Sequence, residues 1–207
     1  DAMHFFGRET LIRRLLAELA QPDGRFLAVI GPSGSGKSSV VKAGLIPALR
    51  RGTQFDSEMW YVARMVPGAH PFQELETALL SVAVGDFPAL QASLRATDDG
   101  LLRAVPRILP DDMAELVLVI DQFEEIFTLV EDEAERKQFL SSLVAAVQDP
   151  GGRLRVIVTL RADFYDRPLL YPGFGELVQV HTEVVLPLSS ADLQEVITGP
   201  AERAGLV

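Results

Sequence analysis

The 207-residue chain contains no Cys. Disulfides, thiolate zinc sites and thiol nucleophiles are therefore excluded, and the sequence is silent on redox compartment. It also contains no Asn, an absence that becomes decisive once the motifs are read. No apolar run approaches the roughly 18 to 20 residues of a membrane span, and the N-terminus lacks the basic-then-apolar pattern of a signal peptide. The chain reads as soluble and cytoplasmic. Positive charge is scarce, with 19 Lys and Arg against 29 Asp and Glu, for a net charge of −10. That balance opposes broad attraction to a polyphosphate backbone, so no nucleic-acid partner is expected. The short basic pairs Arg13-Arg14, Arg50-Arg51 and Arg153 with Arg155 are read as solvated faces.

With 48% apolar residues, the chain can bury one substantial core. Apolar residues at Leu11, Ile12, Leu15, Leu16 and Leu19 follow helical spacing, and Gln21-Pro22-Asp23-Gly24 ends that helix. Phe26 to Ile30 is a continuous apolar run, as in a strand covered on both faces. The runs Trp60 to Met65, Glu115 to Ile120, Leu154 to Leu160 and Val184 to Leu186 add four further strands. Helices are expected from Pro71 to Ala83, from Pro88 to Leu109 with a break at Asp98-Asp99-Gly100, and over the stretch that ends near Gln148. A last helix is N-capped by Ser190. Pro47 predicts an end or kink near Ile46. Strand and helix alternate throughout, which calls for an α/β fold with a parallel sheet, helices on both faces and a ligand at the carboxyl ends of the strands. The whole of 1–207 reads as one domain, cut from a longer multidomain protein.

Between the first strand and the next helix lies Gly31-Pro32-Ser33-Gly34-Ser35-Gly36-Lys37-Ser38. Gly-x-x-x-x-Gly-Lys-Ser in this context is a phosphate-binding P-loop (Walker A), in which backbone N–H groups point at the phosphates of ATP or ADP. Gly31, Gly34 and Gly36 serve backbone angles and close approach. Lys37 bridges phosphate oxygens as a point charge, Ser38 ligates Mg²⁺ and Ser39 is a further phosphate donor. The third strand closes on Asp121-Gln122-Phe123-Glu124-Glu125, which resembles a Walker B motif. Asp121 is the second metal-binding candidate, and Glu124 or Glu125 activates water, with Glu125 preferred. The acids Glu131, Asp132, Glu133 and Glu135 are read as a solvated face. Arg161, at the end of the fourth strand, is a candidate sensor of the terminal phosphate, with an ion pair to Asp163 or Asp166 as the plainer alternative.

Phe6-Gly7-Arg8-Glu9, Gly31 to Ser39, Asp121 to Glu125 and Thr159-Leu160-Arg161 together resemble the nucleotide-binding domain of STAND ATPases. These are signal-transduction relatives of AAA+ and NACHT proteins, and the bacterial novel-STAND class is the nearest in pattern. The resemblance covers nearly the whole chain, including the Leu186-Pro187-Leu188 turn. It implies a three-layer αβα P-loop NTPase with sheet order 5-1-4-3-2, and an adenine contact from Phe6, Gly7 and Arg8. It also implies an ATP/ADP switch with slow hydrolysis, flanked by winged-helix, WD-repeat or effector domains and able to assemble as a homo-oligomer on ATP. Many relatives have a small residue where this chain has Gln122.

Other P-loop classes fit less well. The missing Asn removes the Asn-Lys-x-Asp guanine reader, and no Leu-Ser-Gly-Gly-Gln transporter signature is present. A small-molecule kinase remains an alternative, as does a nucleotide-gated interaction module that does not hydrolyse.

Overall fold

The computed structural model describes residues 8–21, 23–51, 60–188 and 198. Five parallel strands form one sheet in the order β2-β3-β4-β1-β5. They are β1 (Phe26–Gly31), β2 (Trp60–Met65), β3 (Glu115–Ile120), β4 (Leu154–Arg161) and β5 (Thr182–Val184). Read from the β5 edge, this is the succession 5-1-4-3-2. β4 therefore lies between β1 and β3, in register from Phe26↔Val156 to Gly31↔Arg161 on one side and Leu116↔Leu154 to Ile120↔Val158 on the other.

The continuous apolar runs are explained by what each sheet face meets. Phe26, Ala28 and Ile30 of β1, with Leu116, Leu118 and Ile120 of β3, pack into one core. That core also holds side chains from α4 (Pro71–Leu80), α5 (Leu90–Ala96), α6 (Gly100–Ile108), α8 (Glu133–Gln148) and α9 (Phe174–Val180). The alternate residues Leu27, Val29, Val117, Val119 and Ile157 face a second core, built with α1 (Glu9–Ala20) and the helical segment over 37–50. A sheet buried on both sides leaves no polar face to alternate with, so the strands read as unbroken apolar stretches.

Where expectation and structure differ, the causes are local. The segment over 37–50 does not end before Pro47. It runs as α2 (Lys37–Ser39), a π turn (Val40–Leu45) and α3 (Ile46–Arg50), with Ile46 N–H bonded five residues back to Val41 O. The π turn widens the helix where the proline ring would otherwise crowd a carbonyl one turn earlier, and Pro47 opens the first turn of α3. The region 88–109 divides into α5 and α6 at the expected break, whereas the stretch after β3 divides into α7 (Glu125–Thr128) and α8. The fifth strand lies at Thr182–Val184, two residues before the expected run. Val185 is nonetheless fully buried, and its N–H reaches Ile30 O at 2.7 Å.

One reading of charged residues is corrected, and another holds in all but one residue. Arg155 is no solvated face: its guanidinium bonds Glu115 at 2.8 Å and the carbonyls of Leu19 and Gly24, and it covers the Trp60 ring at 4.6 Å. Of the acids around α8, Glu131, Asp132 and Glu133 are exposed as read, and Glu135 alone is half-buried. Asp132 caps the helix through Ala134 N–H, Glu133 pairs with Arg136 and Lys137, and Glu135 pairs with Arg95. The expected Ser190 cap and last helix lie outside the described residues.

Candidate functional site

The loop after β1 is shaped by glycine where a side chain is excluded. Gly34 and Gly36 hold φ values of +75° and +90°, a left-handed backbone that glycine adopts without steric cost. A Cβ on Gly31 would lie 2.2 Å from Val185 O and 2.8 Å from Ser35 Oγ, so the loop is pressed against the chain that follows β5. The Ser35 hydroxyl is buried with no hydrogen-bond partner, a polar atom left for something the chain does not itself supply.

Lys37, at the start of α2, is only 8% exposed. Its ammonium donates to Gly31 O at 2.8 Å and Pro32 O at 2.9 Å, inside its own loop. An ammonium has three donors, so a third remains to be directed at a ligand. Burial lowers the Lys37 pKa, and the Glu124 carboxylate opposes that effect more than any other charge.

Asp121 follows directly on β3 and is 3% exposed. Its Oδ1 accepts from Ser38 Oγ at 2.7 Å, Thr159 Oγ1 at 2.5 Å and its neighbour Gln122 N–H at 3.1 Å. Its Oδ2 meets Lys42 Nζ at 2.5 Å. Burial alone would raise the pKa, but hydrogen bonds from Lys42, Thr159 and Ser38 outweigh it and hold the carboxyl below the ordinary carboxylate range. The two metal-binding candidates, Ser38 and Asp121, are thus in direct contact although 83 residues apart.

The two glutamates part company. Glu124 turns toward β4, its carboxylate accepting from Arg161 N–H at 3.3 Å. Glu125 turns toward the loop after β2 and accepts from Gly68 N–H at 3.0 Å. Each glutamate thus accepts one backbone amide, Glu125 on the β2 side and Glu124 on the β4 side, and Glu124 is the carboxylate that acts most strongly on Lys37. Arg161 is in register with Gly31, and its side chain makes a two-point ion pair with Asp163 at 3.1 and 2.7 Å, the plainer alternative raised above.

Arg8 donates to Ser35 O at 3.3 Å and Leu186 O at 2.6 Å, clasping the top of the loop. Pro32, Ser33 and Ser39 are exposed around the loop. Phe6 and Gly7 lie outside the described residues. Sequence reasoning missed Lys42 as a partner of Asp121 and gave Thr159 no role of its own. The spacing of Lys42 four residues after Ser38 was the available signal, since it places both on one helix face.

The residues present fit a nucleotide with Mg²⁺. The loop offers glycine-lined backbone, an unpartnered hydroxyl and an ammonium with a donor in hand, next to a hydroxyl and carboxylate pair. Among the described residues no three His, Cys, Asp or Glu side chains gather to hold a metal alone. A Mg²⁺ here would draw on Ser38, Asp121, water and the phosphates, as is usual for this ion.

Comparison with known proteins agrees on the fold. The Aeropyrum pernix ORC2 protein in its ADP form is similar over 94% of this chain and 51% of its own, at 17% identity and TM-score 0.60. Its ADPNP-ADP complexes give 92%, 49%, 17% and 0.55. CDC6P from Pyrobaculum aerophilum gives 95%, 49%, 15% and 0.60. The chain thus spans about half the length of the solved structures it matches. No curated protein matches it. Among the described residues no helix is long and apolar enough to cross a membrane. The family description Novel STAND NTPase 1 matches residues 1–207, and the chain, a nucleotide-binding NTPase domain, belongs to that family.

Proposed function

We propose that this domain is an ATP/ADP-reading switch that hydrolyses ATP slowly and thereby gates the assembly or effector activity of a larger protein. The observation that carries the proposal is the joining of three strand ends at one point. Ser38 behind β1, Asp121 behind β3 and Thr159 of β4 share one carboxylate oxygen, and the charges of Glu124 and Asp121 both act on Lys37. The ADP and ADPNP forms of the fold relative favour an adenine nucleotide.

Bound Mg²⁺ and ATP would supply an electrophilic terminal phosphoryl group. The chain's own parts then have separate tasks. The loop amides and Lys37 would hold phosphate oxygens, Ser38 and Asp121 would hold the metal, and Glu124 would accept a proton from water at its carboxylate. Glu125 would position the loop at Gly68, and Arg161, paired with Asp163, would serve as the sensor of the terminal phosphate. Arg8, Phe6 and Gly7 are the adenine contacts that the family resemblance implies. Flanking winged-helix, repeat and effector domains are the parts the switch would operate.

Calorimetry and phosphate release test the reading together. Lys37→Ala abolishes tight ATP binding, because removing the ammonium leaves phosphate charge uncompensated. Glu124→Gln retains binding but lowers phosphate release by about 100-fold or more, the usual worth of a general base, and Glu125→Gln lowers it less. Unchanged affinity in Lys37→Ala rejects the site. Unchanged release in both glutamine variants leaves a nucleotide-gated module without hydrolysis.

A further inference from the structure

Asp121 is gripped twice from one helix face. Ser38 and Lys42 are four residues apart and take opposite oxygens, Ser38 Oγ on Oδ1 at 2.7 Å and Lys42 Nζ on Oδ2 at 2.5 Å. The partners are unequally placed. The Asp121 side chain is 4% exposed and that of Lys42 43%. Lys42 thus comes to the carboxylate from the solvent side, through an open cavity of about 450 Å³ that Arg64 and Glu74 also line. It does so from the π turn Val40–Leu45, a departure from α geometry that recurs at functional sites.

We propose that Lys42 is an internal counter-cation that competes with a divalent metal for Oδ2 of Asp121, so that the domain holds ADP with little help from metal. A bare buried carboxylate beside a phosphate loop would repel the ligand's charge. The Lys42 ammonium removes that repulsion when no metal is present. A metal that takes Oδ2 must displace it, and the geometry permits displacement: Lys42 is half in solvent, the cavity has room for a hydrated ion, and Glu74 offers the released ammonium another carboxylate. Arg64 adds positive charge to the same space and makes no ion pair among the described residues. The metal is thereby held less tightly than it would be by a free aspartate.

The inference rests on the proposed nucleotide and metal roles of the loop and Asp121, and its test separates the two. ADP is titrated calorimetrically into the wild type, Lys42→Met, Lys42→Gln and Lys42→Arg, each in EDTA and in excess Mg²⁺. The wild type should gain little affinity from Mg²⁺. Lys42→Met in EDTA should bind ADP about ten-fold more weakly, on the scale of one lost charge-assisted hydrogen bond, and recover in Mg²⁺. Lys42→Gln, which keeps a donor without the charge, should behave alike and decides the matter if the methionine variant does not fold. Lys42→Arg should restore the wild-type ratio. Mn²⁺ titration in the presence of ADP, followed by electron paramagnetic resonance, should show tighter metal binding in both neutral variants. Equal ratios and equal Mn²⁺ affinities in wild type and neutral variants overturn the role of Lys42 alone. Absence of ADP binding by the wild type in either condition overturns the site itself.

Discussion

At Gln122 the backbone takes φ +54°, one of two such non-glycine positions among the described residues. This turn directs Phe123 N–H onto Thr159 O at 2.9 Å and sends the Phe123 ring into the core, while Gln122 N–H reaches Asp121 and Thr159. Only glycine enters the left-handed region without cost. Gln122→Gly is expected to keep full stability. Gln122→Val, branched at Cβ, should lose about 1 to 2 kcal/mol in chemical denaturation. Asp121 should contribute to the acid dependence of stability. Asp121 has a depressed folded-state pKa, so its contribution is present above the ordinary Asp pKa and is lost as pH falls through the lower, folded value. Asp121→Asn should remove that part of the acid dependence, which denaturation midpoints measured across the acid range will show. Little of this was legible beforehand. The motif named Asp121, but which groups would satisfy a carboxylate in a closed site depends on strands distant in sequence.

Among the elements, the short link from β3 to α8 determines where Glu124 and Glu125 point, and Arg136 braces it. The guanidinium, 16% exposed, donates to Ile126 O at 2.9 Å and to Val130 O, pairs with Glu133 and reaches Tyr171 OH at 3.3 Å. Removing it strands two carbonyls. Arg136→Ala should lower stability by about 2 to 3 kcal/mol and slow phosphate release more than it weakens ADP binding. Arg136→Lys should not rescue it, because a point charge cannot span the same fork. Denaturation and calorimetry on the same variants check both parts. The strands themselves were readable: β2 and β3 occupy the apolar runs found from sequence because turn residues bound them closely. β5 was misplaced by two residues because an apolar run of three marks neither burial nor strand limits: Val184 and Leu186 are exposed. Val185 is buried beside Gly31 yet lies past the end of the strand. Arg136 carried no signal at all, since a brace is defined by carbonyls, which every residue has.

For the whole molecule, a switch requires its two nucleotides to favour different states, since a ligand of equal affinity for both shifts nothing. Size measurements on the longer protein with ATP and with ADP should therefore differ, the ATP form being the larger, and Arg161→Ala should narrow the difference. Identical sizes would remove gated assembly from the proposal. The three segments that meet at the site were each visible as motifs, and the alternation of strands and helices implied where they converge. What the letters did not contain was the cation already sitting there.

The parallel sheet also bears on how the domain is made. β1 finds its neighbours in β4 and β5, more than a hundred residues away along the chain. Pairings of such long range close late and slowly, because the chain must lose loop entropy before any contact rewards it. The phosphate loop, hanging from β1 and resting on Val185, is complete only when the final strand has docked. Nucleotide should therefore favour the finished fold, its binding drawing the population toward that fold by mass action. ADP should raise the melting temperature while leaving the early phases of refolding untouched.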